Sequence, residues 1–208
     1  MATQLSVRWA RQFTMAIDAL RRTAWLGGEH GDSHDEFDPI GWHLTLAIEG
    51  ALVAAVRTTI GPPSALQAWS AGRAPVPHGA GVAEITRGVV ASSVRGLGLY
   101  SLAMLETVLR VRALGATSAT AAIEPHFVGR RFLTGLGFVA KGDPVVFDDR
   151  PRRGTLVQCL VLMVEPGAER AWKASREALV QRLAERGYHV DSSLPPAPPA
   201  TPSTARVA

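Results

Sequence analysis

Cysteine is nearly absent from this chain, which has Cys159 as its only thiol among 208 residues. A single cysteine excludes an internal disulfide and a zinc site made of several cysteines, and it fits a reducing compartment. Long apolar runs are absent too, because Glu49 and Arg57 interrupt the most apolar stretch before it reaches membrane-spanning length. The N-terminal segment lacks the charged-then-apolar pattern of a secretory signal. We therefore expect a soluble, cytoplasmic protein with no membrane span.

The chain has more basic than acidic residues, with a formal net charge of +4 and a sequence isoelectric point near 10.0. Such a balance favours an acidic partner, which can be a phosphate-bearing cofactor, an acidic protein or nucleic acid. No recognised nucleic-acid-binding motif is present, so nucleic acid is not the predicted partner. The second half of the chain carries a basic run: Arg130, Arg131, Lys141, Arg150, Arg152 and Arg153. This run is either a docking surface for an acidic protein or an ordinary solvated surface.

Hydrophobic periodicity predicts an alternation of helices and strands. Residues 5–24 carry apolar side chains at helical spacing and are predicted to form an amphipathic helix. Two strands at 43–48 and 51–59 follow an acidic loop and flank a tight turn. A long loop at 61–81 contains a possible short helix at 64–69. The remaining predicted elements are strands at 82–90, 117–123, 138–141 and 155–164, and helices at 97–114, 125–136 and 167–186.

This pattern predicts a single α/β (α+β) domain with one mixed sheet. The domain is expected to cover residues 1–190, with its core at about 43–165 and a C-terminal helix at about 167–187. Residues 191–208 consist mainly of proline, alanine, serine and threonine, and we expect them to form a disordered tail.

A glycine-rich turn opens the helix at 97–114. Gly96 and Gly98 lack a Cβ, so a ligand can approach the backbone there, and Arg95 adds a positive charge. The N-terminus of the following helix leaves several N–H groups unpaired and favours anions. The turn therefore predicts a site for a pyrophosphate or a phosphopantetheine phosphate. The alternative is that the two glycines only shape a tight connection between strand and helix.

Two segments resemble the Gcn5-related N-acetyltransferase fold. Residues 93–99, Ser-Val-Arg-Gly-Leu-Gly-Leu, resemble its acyl-CoA loop, Gln/Arg-x-x-Gly-x-Gly/Ala, and residues 130–138 resemble its later helix, which ends in Gly-Phe. The resemblance implies a mainly antiparallel sheet flanked by helices, with a strand–pyrophosphate loop–helix core. It also implies an acyl-phosphopantetheine thioester as co-substrate, bound by Val90, Ser93, Val94, Arg95, Gly96, Leu97, Gly98, Leu99, His126 and Arg130. Ser93 stands where glutamine or arginine is usual, and Leu133 stands where many members have a tyrosine as general acid.

Residues upstream resemble a narrower group, the acyl-homoserine-lactone synthases and the long-chain N-acyl amino acid synthases. Asp35-Glu36-Phe37-Asp38, then Arg57, then Glu84-Ile85-Thr86-Arg87 follow the order Asp-x-Phe/Tyr-Asp, strand arginine, Glu-x-Ser-Arg. The resemblance implies an acceptor pocket formed by Trp25, Asp35, Phe37, Asp38 and Arg57. It also implies a donor carried by acyl carrier protein, an acidic partner that a basic surface would attract. Ala83, Thr86 and Gly88 replace the tryptophan, serine and phenylalanine of lactone synthases, which favours the amino acid synthases.

Glu84 and Arg87 are the predicted catalytic side chains. Acyl transfer to an amine needs a neutral nucleophile and hydrogen-bond donors for the developing oxyanion. Glu84 can take the amine proton, and the backbone N–H groups of Val89 and Val90 are the candidate oxyanion donors. Strand alternation places Glu84 and Arg87 on opposite faces, so a bulge is needed to bring them together. The alternatives are a structural ion pair between Glu84 and Arg87 and, upstream, an ordinary solvated acidic loop.

We therefore predict an enzyme that transfers an acyl group from acyl carrier protein or acyl-CoA to the amine of a small molecule. The favoured acceptor is a free amino acid, and the favoured donor is a medium or long chain on carrier protein. The alternatives are an acetyl-CoA-dependent N-acetyltransferase, a lactone synthase using S-adenosylmethionine, and a catalytically inactive binding module of the same fold. His30, His34 and His43 lie near two aspartates, but nearby glycines argue against the helix that their spacing would need, so no metal is predicted.

Overall fold

One sheet organises the part of the chain that this computed structural model describes, residues 2–25, 33–61, 81–124, 126–127, 129–146, 156–165 and 167–192. The elements are β1 (Thr3–Ala10), α1 (Met15–Trp25), β2 (Trp42–Ile48), β3 (Ala51–Gly61), β4 (Val82–Val90), α2 (Leu99–Ala113), β5 (Ser118–Ile123), α3 (Arg130–Gly135), β6 (Val139–Ala140), β7 (Val145–Val146), β8 (Leu156–Met163), α4 (Ala168–Glu185) and β9 (Tyr188–Asp191). The strand order is β6-β8-β5-β4-β3-β2-β1-β9, with β7 paired to β8. Neighbouring strands are antiparallel except for the parallel pairs β4–β5 and β1–β9. The predicted mixed, mainly antiparallel sheet is confirmed.

The predicted N-terminal helix is wrong for residues 5–10, which belong to strand β1. Leu5, Val7 and Trp9 are buried while their neighbours are more exposed, so the true period is two. Pairing with β2 on one edge and β9 on the other holds this segment extended. The helix begins only at Met15, after Thr14, whose hydroxyl accepts a hydrogen bond from the N–H of Ile17 at 3.3 Å.

The second half of the chain follows the prediction with three differences. The helix predicted at 125–136 is shorter and covers only Arg130–Gly135. The short strands β7 and β9 were not predicted. Gly187, with φ +85°, ends the connection after α4 and lets the chain return as β9 alongside β1. The possible helix at 64–69, the arginines at 150–153 and the segment 193–208 lie outside the described residues.

Helices α1 and α2 cover opposite faces of the sheet. The adjacent residues Ala55 and Val56 of β3 show this, because Ala55 packs with Ile17 of α1 and Val56 belongs to the main core with α2. Helix α4 packs outside α2, with Trp172, Leu179 and Leu183 in the same core. No helix among the described residues is long and apolar enough to cross a membrane.

Strands β4 and β5 separate halfway along their length. Their parallel pairing ends at Ile85 and Ala121. Beyond that point β4 continues to Val90 against β3, and β5 continues to Ile123 against β8. The gap between residues 86–90 and residues 122–123 is called the wedge below. It opens toward the turn that leads into α2.

Candidate active site

A bulge in β4 places Arg87 beside Arg57. On β3, Arg57 pairs with Thr86 and Ala55 pairs with Val89. Two residues of β4, Arg87 and Gly88, therefore lie opposite the single residue Val56. Arg87 has φ +56°, a left-handed conformation that is uncommon for a residue other than glycine. The predicted bulge is thus present. It turns the Arg87 side chain onto the face of Thr86, which by strand alternation is also the face of Glu84.

Five buried charged residues form one network, called the charged cluster below: Arg21, Asp35, Asp38, Arg57 and Arg87. Asp35 binds both strand arginines, with its Oδ1 on Arg57 Nη1 and its Oδ2 2.7 Å from Arg87 Nη2. Both carboxylate oxygens of Asp38 lie 2.8 Å from Arg21 Nη1, and its Oδ1 lies 3.2 Å from Arg57 Nη1. Each side chain is at most 8% exposed. Burial on this scale is costly unless every charge is paired, so the two aspartates hold the three arginines together.

Asp35 and Arg21 of the cluster keep their charges at neutral pH. Burial acts to raise the pKa of Asp35, but the guanidiniums of Arg57 and Arg87 outweigh it and hold that pKa below the ordinary value of 3.8. Burial lowers the pKa of Arg21 to about 10, partly opposed by Asp38, so Arg21 stays a cation. Burial also lowers the pKa of His43, whose Nε2 lies 2.9 Å from the backbone oxygen of Asp38. His43 is therefore neutral, with its proton on Nε2 donated to that carbonyl.

Aromatic rings line the cluster. Trp25 lies under the guanidiniums of both Arg87 and Arg21, at 5.6 and 5.8 Å from ring centre to Cζ. Phe37 lies 5.7 Å from Arg57 in the same arrangement. These distances are in the range of cation–π attraction. The structure therefore brings together all five residues predicted for the acceptor pocket.

Sequence reasoning missed Arg21 and did not predict that His43 belongs to the buried hydrogen-bond network. Arg21 lies one turn after Ile17 on the buried side of α1, and both are almost fully buried. An arginine in an apolar helical stripe is the signal that could have identified it, because charged residues are rarely buried without partners. His43 is 1% exposed and belongs to the same network through Asp38.

Glu84 lies fully buried in the middle of the sheet, immediately before the wedge opens. It stands between Thr59 on β3 and Thr120 on β5. Glu84 also acts on the thiol of Cys159 on β8. Burial, and to a smaller extent the charge of Glu84, raise the pKa of that thiol to about 11. The candidate base thus sits at the closed end of the wedge, on the face of the charged cluster.

The two predicted oxyanion donors direct their N–H groups to opposite edges of β4. Ala91 donates its N–H to the oxygen of Val53 on β3 at 2.8 Å. Successive strand residues direct their N–H groups to opposite edges, so Val89 faces β3 and Val90 faces the wedge. Of the two, only Val90 has its N–H on the side where a ligand can enter.

The glycine turn, residues 95–98, stands at the open end of the wedge. It follows a short 3-10 turn at Ser92–Val94, in which Ser93 is exposed and Val94 is half-buried. Gly96 and Gly98 both have φ +84°, and a Cβ added at Gly96 would meet no atom within 4 Å. The first hydrogen bond of α2 runs from Leu102 N–H to Gly98 O, so the N–H groups of residues 99–101 precede it. Leu97 is half-buried and Leu99 is 2% exposed, so Leu99 can offer a ligand its backbone only.

Tyr100, in the first turn of α2, contacts Phe127 in the connection between β5 and α3. Its ring meets Phe127 edge-on at 5.3 Å between centroids, which places the exposed His126 and the first residue of α3, Arg130, near the start of α2. A Cβ at Gly88 would lie 3.2 Å from Tyr100 Cε2, so the ring occupies the space of any larger side chain at position 88. Burial raises the pKa of Tyr100, whose hydroxyl therefore stays protonated. Leu133 is fully buried in the core.

Metal ligands are not assembled in the described part of the chain, where no three residues among histidine, cysteine, aspartate and glutamate are arranged to hold an ion. His34 lies 3.8 Å from Asp18, and His30 falls outside the described residues.

Several solved structures of acyltransferases and acyl-transferring synthases superpose on this chain. MesI, a CoA-dependent acyl-homoserine lactone synthase, superposes with a TM-score of 0.62 and 15% identity, over 82% of this chain and 95% of MesI. FeeM, an N-acyl amino acid synthase from uncultured soil microbes, gives 0.58 and 14%, over 85% of this chain and 98% of FeeM. An acyl-CoA N-acyltransferase from Pseudomonas aeruginosa gives 0.56 and 18%, over 77% of this chain and 99% of that enzyme. No protein-family model matches the sequence, and no curated protein matches it significantly.

The chain therefore has the Gcn5-related N-acetyltransferase fold that the sequence predicted. Structures with this fold at similar TM-scores include both an acetyltransferase and an N-acyl amino acid synthase.

Proposed function

We propose that this protein is an N-acyltransferase that moves an acyl group from a phosphopantetheine thioester to the amine of a small molecule. The observation that carries the proposal is the wedge between β4 and β5. Glu84 lies at its closed end, the N–H of Val90 faces into it, and the glycine turn lies at its open end. A thioester lying in this gap would have its phosphate at the turn and its carbonyl near Val90.

The chemistry then needs three groups of the protein. Glu84 takes a proton from the acceptor ammonium, and the neutral nitrogen attacks the thioester carbonyl carbon. Val90 N–H stabilises the oxyanion that forms. The C–S bond breaks as the oxyanion collapses, the nitrogen loses its second proton to leave a neutral amide, and the leaving thiolate takes a proton. We assign the proton that the thiolate takes to Tyr100, because its buried hydroxyl is protonated and its ring packs against Gly88 beside the wedge; the second proton of the nitrogen then replaces it. Leu133 has no group that can do this.

The favoured acceptor is a free amino acid. The charged cluster brings three guanidiniums together on the face of the sheet that also carries the carboxyl group of Glu84. An amino acid zwitterion has the matching pair of charges, with its carboxylate suited to the arginines and its ammonium suited to Glu84. Trp25 and Phe37 would form the apolar walls of this pocket. FeeM, which is named as an N-acyl amino acid synthase, supports the same assignment.

The test is a panel of donors and acceptors given to the purified protein. Acetyl-, medium- and long-chain thioesters of CoA and of acyl carrier protein are each combined with pooled amino acids or with S-adenosylmethionine. We expect thiol release, together with an acylated amino acid detected by mass spectrometry. If acetyl-CoA outperforms every longer donor, the protein is an N-acetyltransferase. If CoA or carrier protein binds and no acceptor is acylated, the protein is a binding module and the proposal fails.

A further inference from the structure

A cavity of about 470 Å³ adjoins the glycine turn and is bounded by α2, α3 and α4. Its lining includes Gly96, Gly98, Ser101, Phe132, Arg182 and Arg186. Its size falls within the range of roughly 300 to 1,000 Å³ that is typical of small-molecule pockets. It shares the turn with the wedge, so a ligand held at the turn can extend into it.

Arg182 and Arg186 give this cavity its charge. Arg182 lies in the last turn of α4 and Arg186 follows the helix directly, and both are exposed. Neither forms an ion pair with a carboxylate in the described chain, whereas Lys173 and Arg176 of the same helix pair with Glu169 and Glu106 at 2.6 and 2.5 Å. Arg186 Nη1 lies 3.4 Å from Gly96 O, which keeps this guanidinium at the turn. Two cations with no acidic partner, facing a concave space, favour an anionic ligand.

We propose that Arg182 and Arg186 bind phosphates of the nucleotide half of coenzyme A, which makes acyl-CoA the donor. This rests on the proposed function, because it requires the glycine turn to hold the pantetheine arm. Coenzyme A carries a diphosphate and a ribose phosphate, and guanidinium groups bind such oxygens in pairs. Phe132 offers an apolar surface for the base. The phosphopantetheine arm of a carrier protein has one phosphate, and a protein partner docks on the outer surface and does not fill a cavity.

The experiment measures the binding of coenzyme A and of free phosphopantetheine by calorimetry. The proteins are the wild type, the double variant Arg182→Gln/Arg186→Gln, and Arg170→Gln as a control that removes an exposed arginine of the same helix. Arg170 lies near the start of α4 and does not line the cavity. We expect the double variant to bind coenzyme A about 10- to 100-fold more weakly, because each lost contact is a hydrogen bond to a charged group. Its affinity for phosphopantetheine and the affinity of the control for either ligand should stay at the wild-type value.

Three results would overturn the inference. The first is an unchanged affinity of the double variant for coenzyme A, and the second is an equal loss for both ligands. The third is a loss of transfer from acyl carrier protein while coenzyme A binding is unchanged, which would assign the two arginines to a protein partner. The proposed function fails by a different result, namely no transfer by the wild type from any thioester although coenzyme A binds and the double variant weakens it.

Discussion

Asp35 Oδ2 lies 2.7 Å from Arg87 Nη2, although 52 residues separate the two in sequence. The contact depends on the left-handed backbone of Arg87, which reverses the face that its side chain would otherwise occupy. The same carboxylate holds Arg57 with its other oxygen. Asp35 therefore joins its own segment, at residues 33–38, to strands β3 and β4 and holds the charged cluster on the face of the sheet that also carries Glu84.

Replacing Asp35 by asparagine should destabilise the protein by about 3 to 5 kcal/mol, because Arg57 and Arg87 would remain buried without their shared carboxylate. Urea unfolding followed by circular dichroism measures the change. Glu36→Gln in the same loop is the control, since Glu36 is exposed, and it should stay within about 0.5 kcal/mol of the wild type. Equal stability of the two variants would mean that the charged cluster does not hold the loop.

Gly41→Ala should also disturb the cluster. A Cβ at this position would lie 2.9 Å from Arg57 Cγ and 3.0 Å from the backbone oxygen of Phe37, so Arg57 must move. We expect a loss of about 1 to 3 kcal/mol in the free energy of unfolding, as in other overpacked sites. Gly135→Ala is the matched control, because it lies in α3 with nothing within 4 Å of the new Cβ. That change should stabilise the protein by about 0.5 to 1 kcal/mol, and a similar response at both positions would contradict the packing seen at Gly41.

The stability should depend on pH through His43. Burial lowers the pKa of His43 below its ordinary value of 6.5, so protonation favours the unfolded chain. The contribution of this residue is complete above pH 6.5 and is lost as the pH falls through the folded-state pKa. His43→Gln can keep a donor for the Asp38 carbonyl and does not titrate. We expect the wild type to lose more stability than His43→Gln between about pH 7 and about pH 5; parallel curves would show that His43 does not titrate in this range.

Val90→Pro tests the backbone N–H of Val90 as an oxyanion donor without disturbing the stability of the fold. Its N–H faces the wedge, so proline should remove the oxyanion donor without breaking the pairing of β4 with β3. We expect turnover to fall by about 100- to 1,000-fold with a melting temperature close to that of the wild type. Val89→Pro removes an N–H that faces β3 and should instead unfold the protein. Wild-type turnover in Val90→Pro would exclude this N–H from catalysis.

The sequence predicted the elements that repeat a simple local pattern. The glycines of the turn, the buried length of α2 and the β2–β3 hairpin all follow from residue type and spacing. The N-terminal strand did not, because Val7 and Ala10 happen to continue the helical spacing of Phe13 and Ile17. Only the pairing with β2 and β9 decides between strand and helix there, and that pairing is not local.

The sequence identified candidate site residues but not their arrangement in space. Asp35, Arg57 and Arg87 were selected together, yet the face of Arg87 depends on a bulge whose position is set by the pairing with β3. Arg21 was missed because its partner, Asp38, lies 17 residues further along the chain, so their contact does not follow from local sequence. Tyr100 was missed because its nearness to Gly88 depends on how α2 crosses the sheet.

The most direct test of acyl transfer at the wedge is the steady-state rate of Glu84→Gln, measured as acylated amine by mass spectrometry with the best donor and acceptor of the panel. Glutamine keeps the shape of the buried side chain and cannot accept the amine proton. We expect the rate to fall by about 100- to 10,000-fold, the usual contribution of a general base, with the melting temperature and coenzyme A affinity preserved. A wild-type rate in this variant would contradict the assignment of Glu84 and, with it, the proposed site.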